Sequence, residues 1–338
     1  MPMHCLLLYY TGTFNTRYIT RQLQSRLTEE GWTVDTYEID PSRLERLDFS
    51  AYDIVGLGSP IYGFCAPYAF LRFIRHQKFP KGLKTFIYKN SGETQSVNDA
   101  SHKYVRRKLR RDGVSLQGEY HFLMPYNIHF RFPDALVREM LEMNRRLMEV
   151  MVRELQQGIT HLPTYSLWSR FMSTLISRPQ YIAGDLNSFF YRVKKDRCTL
   201  CQRCIKQCPT RNIYIDSKQC IAFHHDCLMC MRCSFYCPKD AIRIGFLDSW
   251  GWRVNGGYDW RSIEQMPLGE PFITPHTKGF FACYVNTYAR INRRYAELVG
   301  PVPALPDQSA FEERPVSFLQ QVRQTLPLFA RIKKDHKI

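Results

Sequence analysis

The chain has 338 residues and a hydrophobic content of 44%, the values of an ordinary globular protein with room for two domains. Its formal charge of +16 suits anionic partners: nucleic acid, an acidic protein or an anionic membrane surface. No apolar run reaches the roughly 18 residues of a membrane-spanning helix, and the start, Met1-Pro2-Met3-His4-Cys5-Leu6, carries no basic segment before its apolar stretch, so neither a helical span nor a signal peptide is expected.

Residues 1–125 alternate strand and helix patterns. The apolar run 4–10 reads as a buried parallel strand. A helix follows over 15–30, stopped by Gly31. Strands are predicted at 33–39, 52–57, 84–88 and 119–124, with helices at 67–77 and 97–111 between them. Such alternation predicts a doubly wound five-stranded parallel sheet. Three polar loops follow the first, third and fourth strands, where open α/β sheets bind their ligands. They are Thr11-Gly12-Thr13-Phe14-Asn15-Thr16, then Ser59-Pro60-Ile61-Tyr62-Gly63, then Asn90-Ser91-Gly92-Glu93. Hydroxyls and backbone N–H groups at a helix start suit a phosphate, and Gly12 admits a close backbone approach.

These loops resemble those of flavodoxins. Thr11, Thr13, Asn15 and Thr16 match a Ser/Thr-x-Thr-Gly-Asn-Thr phosphate loop, with Phe14 standing where flavodoxins carry glycine. A phenylalanine there must keep a compatible backbone and point its ring outward. The resemblance implies bound FMN, with Tyr62 stacked on the isoalloxazine and the Gly63 peptide turned toward its reactive nitrogen. It makes 90–93 the third flavin loop.

A long amphipathic helix is predicted over 133–157, where Leu136, Met140, Met143, Leu147, Met151 and Leu155 recur at helical spacing as a core face. Over 163–180, Leu167, Trp168, Phe171, Met172, Leu175 and Ile176 form an apolar stripe flanked by Arg170 and Arg178. A membrane-surface helix has this pattern, and so has a helix wedged between domains. The wedge is the expected reading, because single buried stripes are common.

Two cysteine runs follow. The first is Cys198-x-x-Cys201-x-x-Cys204-x-x-x-Cys208-Pro209, and the second, at an offset of 29 residues, is Cys227-x-x-Cys230-x-x-Cys233-x-x-x-Cys237-Pro238. This double frame is the binding pattern of two [4Fe–4S] clusters. Three closely spaced thiolates face three corners of one cube, and the fourth, before proline, is swung to the other cube. Cys198, Cys201, Cys204 and Cys237 are therefore expected around one cluster, and Cys227, Cys230, Cys233 and Cys208 around the second. Zinc also takes four-cysteine sites, usually from two CxxC units across a longer gap. Residues 196–246 resemble bacterial two-cluster ferredoxins.

Beyond Gly245, Trp250, Trp252, Tyr258 and Trp260 crowd a glycine-containing stretch, helices are predicted at 281–298 and 316–334, and Pro301, Pro303 and Pro306 separate them. The expected units are a flavodoxin-like domain over 1–157, a helical linker over 158–195, a small α+β two-cluster module over 196–246 and a helical extension over 247–338. The whole resembles flavodoxin–ferredoxin fusion proteins. That implies an iron–sulfur flavoprotein passing electrons between a one-electron carrier, two clusters and FMN. An FMN-dependent reductase of a small substrate and a basic nucleic-acid-associated iron–sulfur protein are the alternatives. Small ferredoxins and flavodoxins are typically acidic, so such a carrier is the expected partner, with Lys194, Lys195, Arg197, Arg203, Lys206, Arg211 and Arg232 around the clusters. Eight cysteines committed to metal fit a reducing cytoplasm.

Overall fold

The computed structural model describes residues 2–93, 96–249, 251, 253–302, 311–313 and 316–325. Trp250, Trp252, Pro303, Pro306 and the part of the last expected helix after residue 325 lie outside the described residues. The first half is a five-stranded parallel sheet of β1 (His4–Tyr9), β2 (Thr33–Glu38), β3 (Ile54–Pro60), β4 (Lys84–Ser91) and β5 (Ser115–Leu123). The strand order is β2-β1-β3-β4-β5, the flavodoxin-like order among doubly wound folds. Strand alternation divides the core. Cys5, Leu7 and Tyr9 face one side with α1 (Asn15–Glu29), and Leu6, Leu8 and Tyr10 face the other with α2 (Tyr68–His76) and α3 (Lys103–Arg111). A short 3-10 segment, Ser96–His102, precedes α3 where a continuous helix was expected.

Helix α4 (Asp134–Gln157) buries the predicted stripe of Leu136, Met140, Met143, Leu147, Met151 and Leu155. The next helix, α5 (Leu167–Ser188), runs past the expected end at 180 and departs from the expected packing. Its buried face carries Met172 and the small residues Ser169, Ser173, Ser177 and Gly184, while Leu167, Phe171 and Leu175 stay exposed. Small side chains let the helix approach closely. Ser173 donates to the Ala100 carbonyl at 3.3 Å, and a Cβ on Gly184 would stand 2.0 Å from the Cys227 carbonyl. The wedge exists, made by half of the expected stripe, Met172 with Trp168 and Ile176 against Phe64 and Val97, together with the serine–glycine face.

Strand pairing of the second module begins at Tyr191, inside the segment expected as linker. β6 (Tyr191–Val193) pairs antiparallel with the last strand of the module, and β7 (Ile213–Ile215) pairs antiparallel with β8 (Ile221–Phe223). That last strand is β9 (Ile242–Ile244), and two short helices, α6 (Arg203–Gln207) and α7 (Arg232–Phe235), complete the unit. The 29-residue repeat is written into the backbone. Leu200, Gln202 and Arg211 are left-handed, and so are Met229, Met231 and Asp240.

Next come α8 (Phe246–Ser249), α9 (Trp260–Gln265), α10 (Ala282–Leu298) and α11 (Phe318–Thr325). α10 completes one face of the α/β domain, with Tyr284 and Tyr288 in the same core as Met140 and Met143. The buried Glu154 carboxylate accepts from Arg294 at 2.6 Å, and Arg146 donates to Asn292 at 2.9 Å. The extension thus docks on the sheet domain. Among the described residues no helix is long and apolar enough to cross a membrane.

Candidate functional site

A cavity of about 230 Å³ opens at the carboxyl ends of β1, β3 and β4. All three predicted loops reach it: Thr11, Gly12, Thr13, Asn15 and Thr16 from the first, Pro60, Ile61, Tyr62 and Gly63 from the second. Asn90, Ser91, Gly92 and Glu93 come from the third. Phe14 and Ser59 are not among its walls. Phe14 sits at the start of α1 with φ of 69°, the left-handed conformation in which glycine is at ease. Its ring lies outside, with the Arg17 guanidinium 4.4 Å and the Arg232 guanidinium 4.7 Å from its centroid. Ser59 turns away from the cavity and meets His102 Nε2 at 2.9 Å. Burial, then the charge of Lys89, hold that histidine well below its ordinary pKa.

The loop hydroxyls have different partners. Thr16 donates to Asn90 Oδ1 at 2.8 Å, joining the first loop to the third. Thr13 Oγ1 accepts from Asn127 at 3.0 Å, which leaves its proton available to a ligand. Thr11 Oγ1 and Gln180 Oε1 are buried wall atoms without a hydrogen-bond partner among the described residues. Unpaired buried polar atoms cost about 1–3 kcal/mol each, so a polar ligand that meets them gains that much. Gly12 is indispensable to the cradle: a Cβ there would stand 1.9 Å from the Tyr62 hydroxyl and 3.1 Å from the Cys230 carbonyl. Glu93 accepts from Asn98 at 2.9 Å and from the Tyr126 hydroxyl, and burial raises its carboxyl above the ordinary 4.5. A carboxyl so placed favours its neutral form.

Other walls were not read from the sequence. Tyr126, Asn127 and His129 come from the segment after β5, whose position at a strand's carboxyl end was the available signal. Gln180 comes from α5, and Met229 and Met231 from the second cysteine run. No local pattern announces these.

The second cysteine run and the first loop interlock. Arg232 donates through Nε to the Gly12 carbonyl at 2.5 Å and through a terminal nitrogen to the Thr11 carbonyl at 2.7 Å. Tyr236 donates to the Thr13 carbonyl at 2.9 Å. Arg232, one of the basic residues expected around the clusters, is therefore turned toward the first loop as a clamp.

The eight cysteines fall into two sets. One small hollow is lined by Cys198, Cys201, Cys204 and Cys237. In the other set, burial first, then the neighbouring Cys230, Cys227 and Cys208, push the Cys233 thiol well above its ordinary range. Backbone N–H groups point at sulfur in matched places, Asn212 to Cys208 at 3.3 Å and Ala241 to Cys237 at 3.2 Å. Crowded buried sulfurs resist ionising alone, and a cationic core is what lets four thiolates coexist. Among the described residues no three His, Cys, Asp or Glu side chains converge on a single-ion site. A cube holds its thiolates at separate corners rather than around one point.

No family model matches the chain, and no curated protein matches it. Among solved structures, the first half is similar to a flavodoxin of Streptococcus pneumoniae TIGR4 at 18% identity, over 46% of this chain and 99% of that one, with a TM-score of 0.33. Flavodoxin 2 of Bacillus cereus is similar at 14% identity, over 46% and 99%, with a TM-score of 0.33. A flavoprotein of Lactobacillus acidophilus NCFM, solved in complex with FMN, is similar at 16% identity, over 35% and 93%, with a TM-score of 0.28. At these identities and scores the likenesses say nothing of this chain's ligand or activity.

Proposed function

We propose that the chain is an iron–sulfur flavoprotein that passes electrons between a one-electron carrier, two [4Fe–4S] clusters and FMN. The observation that carries this reading is the clamp: Arg232, lying between Cys230 and Cys233, bonds the carbonyls of Thr11 and Gly12. A phosphate-type loop and a cluster-type loop are thereby one structural unit. FMN accepts one or two electrons and each cluster one, so a protein holding both converts single-electron delivery into two-electron storage.

The residues divide the work as follows. Thr11, Thr13 and the first N–H groups of α1 hold the phosphate. Ile61, Tyr62 and Tyr126 wall the ring's space and exclude water. Cys208, Cys227, Cys230 and Cys233 form the inner set, because Cys230 is buried against Gly12. Cys198, Cys201, Cys204 and Cys237 form the outer set, because Cys201 is exposed. An acidic carrier in a reducing cytoplasm would dock near the outer set, beside Lys194, Lys195 and Arg197. The working units are 1–157 for flavin and 196–246, with β6 added, for the clusters.

Anaerobic purification followed by metal, sulfide and flavin assay tests the reading. It predicts about eight irons and eight sulfides with one FMN per chain. Zinc in place of iron, or FAD in place of FMN, sinks it. Reduction by a ferredoxin slows as salt rises, and changing Lys194, Lys195 and Arg197 to glutamate lowers the on-rate while leaving cofactor content intact.

A second reading, a flavin-dependent reductase of a small substrate, is favoured by Glu93. Its buried carboxyl at the cavity wall, raised by burial above the ordinary 4.5, is placed to give a proton. Rapid-mixing oxidation of the reduced protein separates the two readings: a carrier reacts with protein partners alone, a reductase also with a small acceptor.

A further inference from the structure

The exposed side of α5 presents Leu167, Phe171, Leu175, Ile182, Leu186 and the adjoining Phe189, each more than half exposed. They recur at helical spacing along a helix of 22 residues, about 33 Å long, with exposed Arg178 interrupting the apolar edge between Leu175 and Ile182. At one end Phe318 of α11, itself exposed, packs edge-on to Trp168 and extends the patch. A stripe of this length is beyond the scattered apolar residues that soluble surfaces carry.

A second observation lies beside it. A broad groove between α3 and the start of α5 is lined by Lys103, Arg106, Arg107, Arg110 and Arg170, with no acidic residue among its walls in the described residues. Arg106 reaches Glu119 at 3.4 Å, while Arg107 and Arg110 are exposed. Lys103 bonds the Arg170 carbonyl at 2.8 Å, which ties the groove to the apolar helix. On α5 the sole acid is Asp185, which accepts from the Cys227 N–H at 3.3 Å.

From these we infer that α5 and the groove form a docking surface for an anionic lipid bilayer, with the apolar edge entering the interface and the arginines meeting phosphates. The helix lies along the surface rather than across it. Charge decides between occupants. A second copy of the chain would set its basic groove against the same groove in a two-fold contact. A nucleic acid would meet the arginines but leave the aliphatic edge in water. A lipid surface satisfies both halves, each leucine or phenylalanine gaining by burial and each arginine by the surface potential. This inference does not depend on flavin or clusters being bound.

Co-sedimentation of the full chain with vesicles tests it. Phosphatidylcholine vesicles are compared with vesicles that also contain phosphatidylglycerol, at low and high salt. Expected is binding to the anionic vesicles that weakens with salt. Arg107→Gln with Arg110→Gln lowers that binding roughly thirty-fold, about fivefold for each cation lost near an anionic surface. Leu175→Glu with Ile182→Glu lowers it about tenfold or more, with the circular dichroism spectrum unchanged. Equal binding to both vesicle types overturns the proposal. So does a Leu175→Glu/Ile182→Glu chain that still binds like the parent, or sedimentation velocity showing that these changes break a dimer instead. Should the helix variant fail to fold, the arginine variant on α3 still decides.

Discussion

Replacing Arg232 by methionine should release the first loop. The guanidinium makes two bonds to the loop, 2.5 Å to the Gly12 carbonyl and 2.7 Å to the Thr11 carbonyl, and lies 4.7 Å from the Phe14 centroid. Bonds from a charged donor contribute about 1.5–3 kcal/mol each, and Arg232 is only half-buried, so the lower end applies. The ring contact adds about 0.5–1 kcal/mol. Loop fixing therefore loses about 3–4 kcal/mol. If FMN binds only the fixed loop, most of that loss appears in its affinity, at least about a hundredfold. Phe14 supplies the control. Its left-handed backbone costs about 1 kcal/mol, a cost glycine does not carry. Phe14→Gly alone should change affinity little, and in the Arg232→Met background it should recover about fivefold. Fluorescence titration of FMN into flavin-free protein reads all four corners of the cycle. An Arg232→Met affinity within about threefold of the parent would refute the clamp.

Three further outcomes follow from the site. Cys237→Ala should damage the cluster on Cys198, Cys201 and Cys204, and Cys208→Ala the one on Cys227, Cys230 and Cys233; Mössbauer spectra of each variant assign the loss, and damage confined to the mutated run would contradict the crossed sets. Thr13→Ala should weaken FMN about tenfold, whereas Thr16→Ala, whose proton goes to Asn90, should chiefly lower the Tm; the reverse pattern would reassign the phosphate contact. Glu93 has a folded pKa raised above 4.5, so its neutral form contributes stability at low pH that is lost as pH climbs through the folded value. Glu93→Gln should flatten that decline in denaturant titrations run across the window above 4.5, and an unchanged slope would show that Glu93 is charged in the fold.

Much of the molecule is legible along the chain. The alternation Cys5, Leu7, Tyr9 against Leu6, Leu8, Tyr10 marks a two-faced strand from residue order alone, because side-chain direction repeats every second residue. The three loops follow strands and so meet at one edge of the sheet, since parallel strands share a direction. The 29-residue repeat in the cysteine runs reappears as left-handed Leu200 and Met229, Gln202 and Met231, Arg211 and Asp240, because equal spacing demands equal turns. What the chain could not tell is which distant segments meet. Arg232 and Gly12 are 220 residues apart, and nothing local marks one as the clamp of the other. The facing of α5 was equally hidden. Its apolar stripe is split by the fold: Met172 goes inside with Val97 and Phe64, while Leu167, Phe171 and Leu175 stay exposed and serine and glycine make the closest approaches to the 3-10 segment and the Cys227 loop. Steric room in the assembled fold, rather than hydropathy along the helix, decided which face went inside.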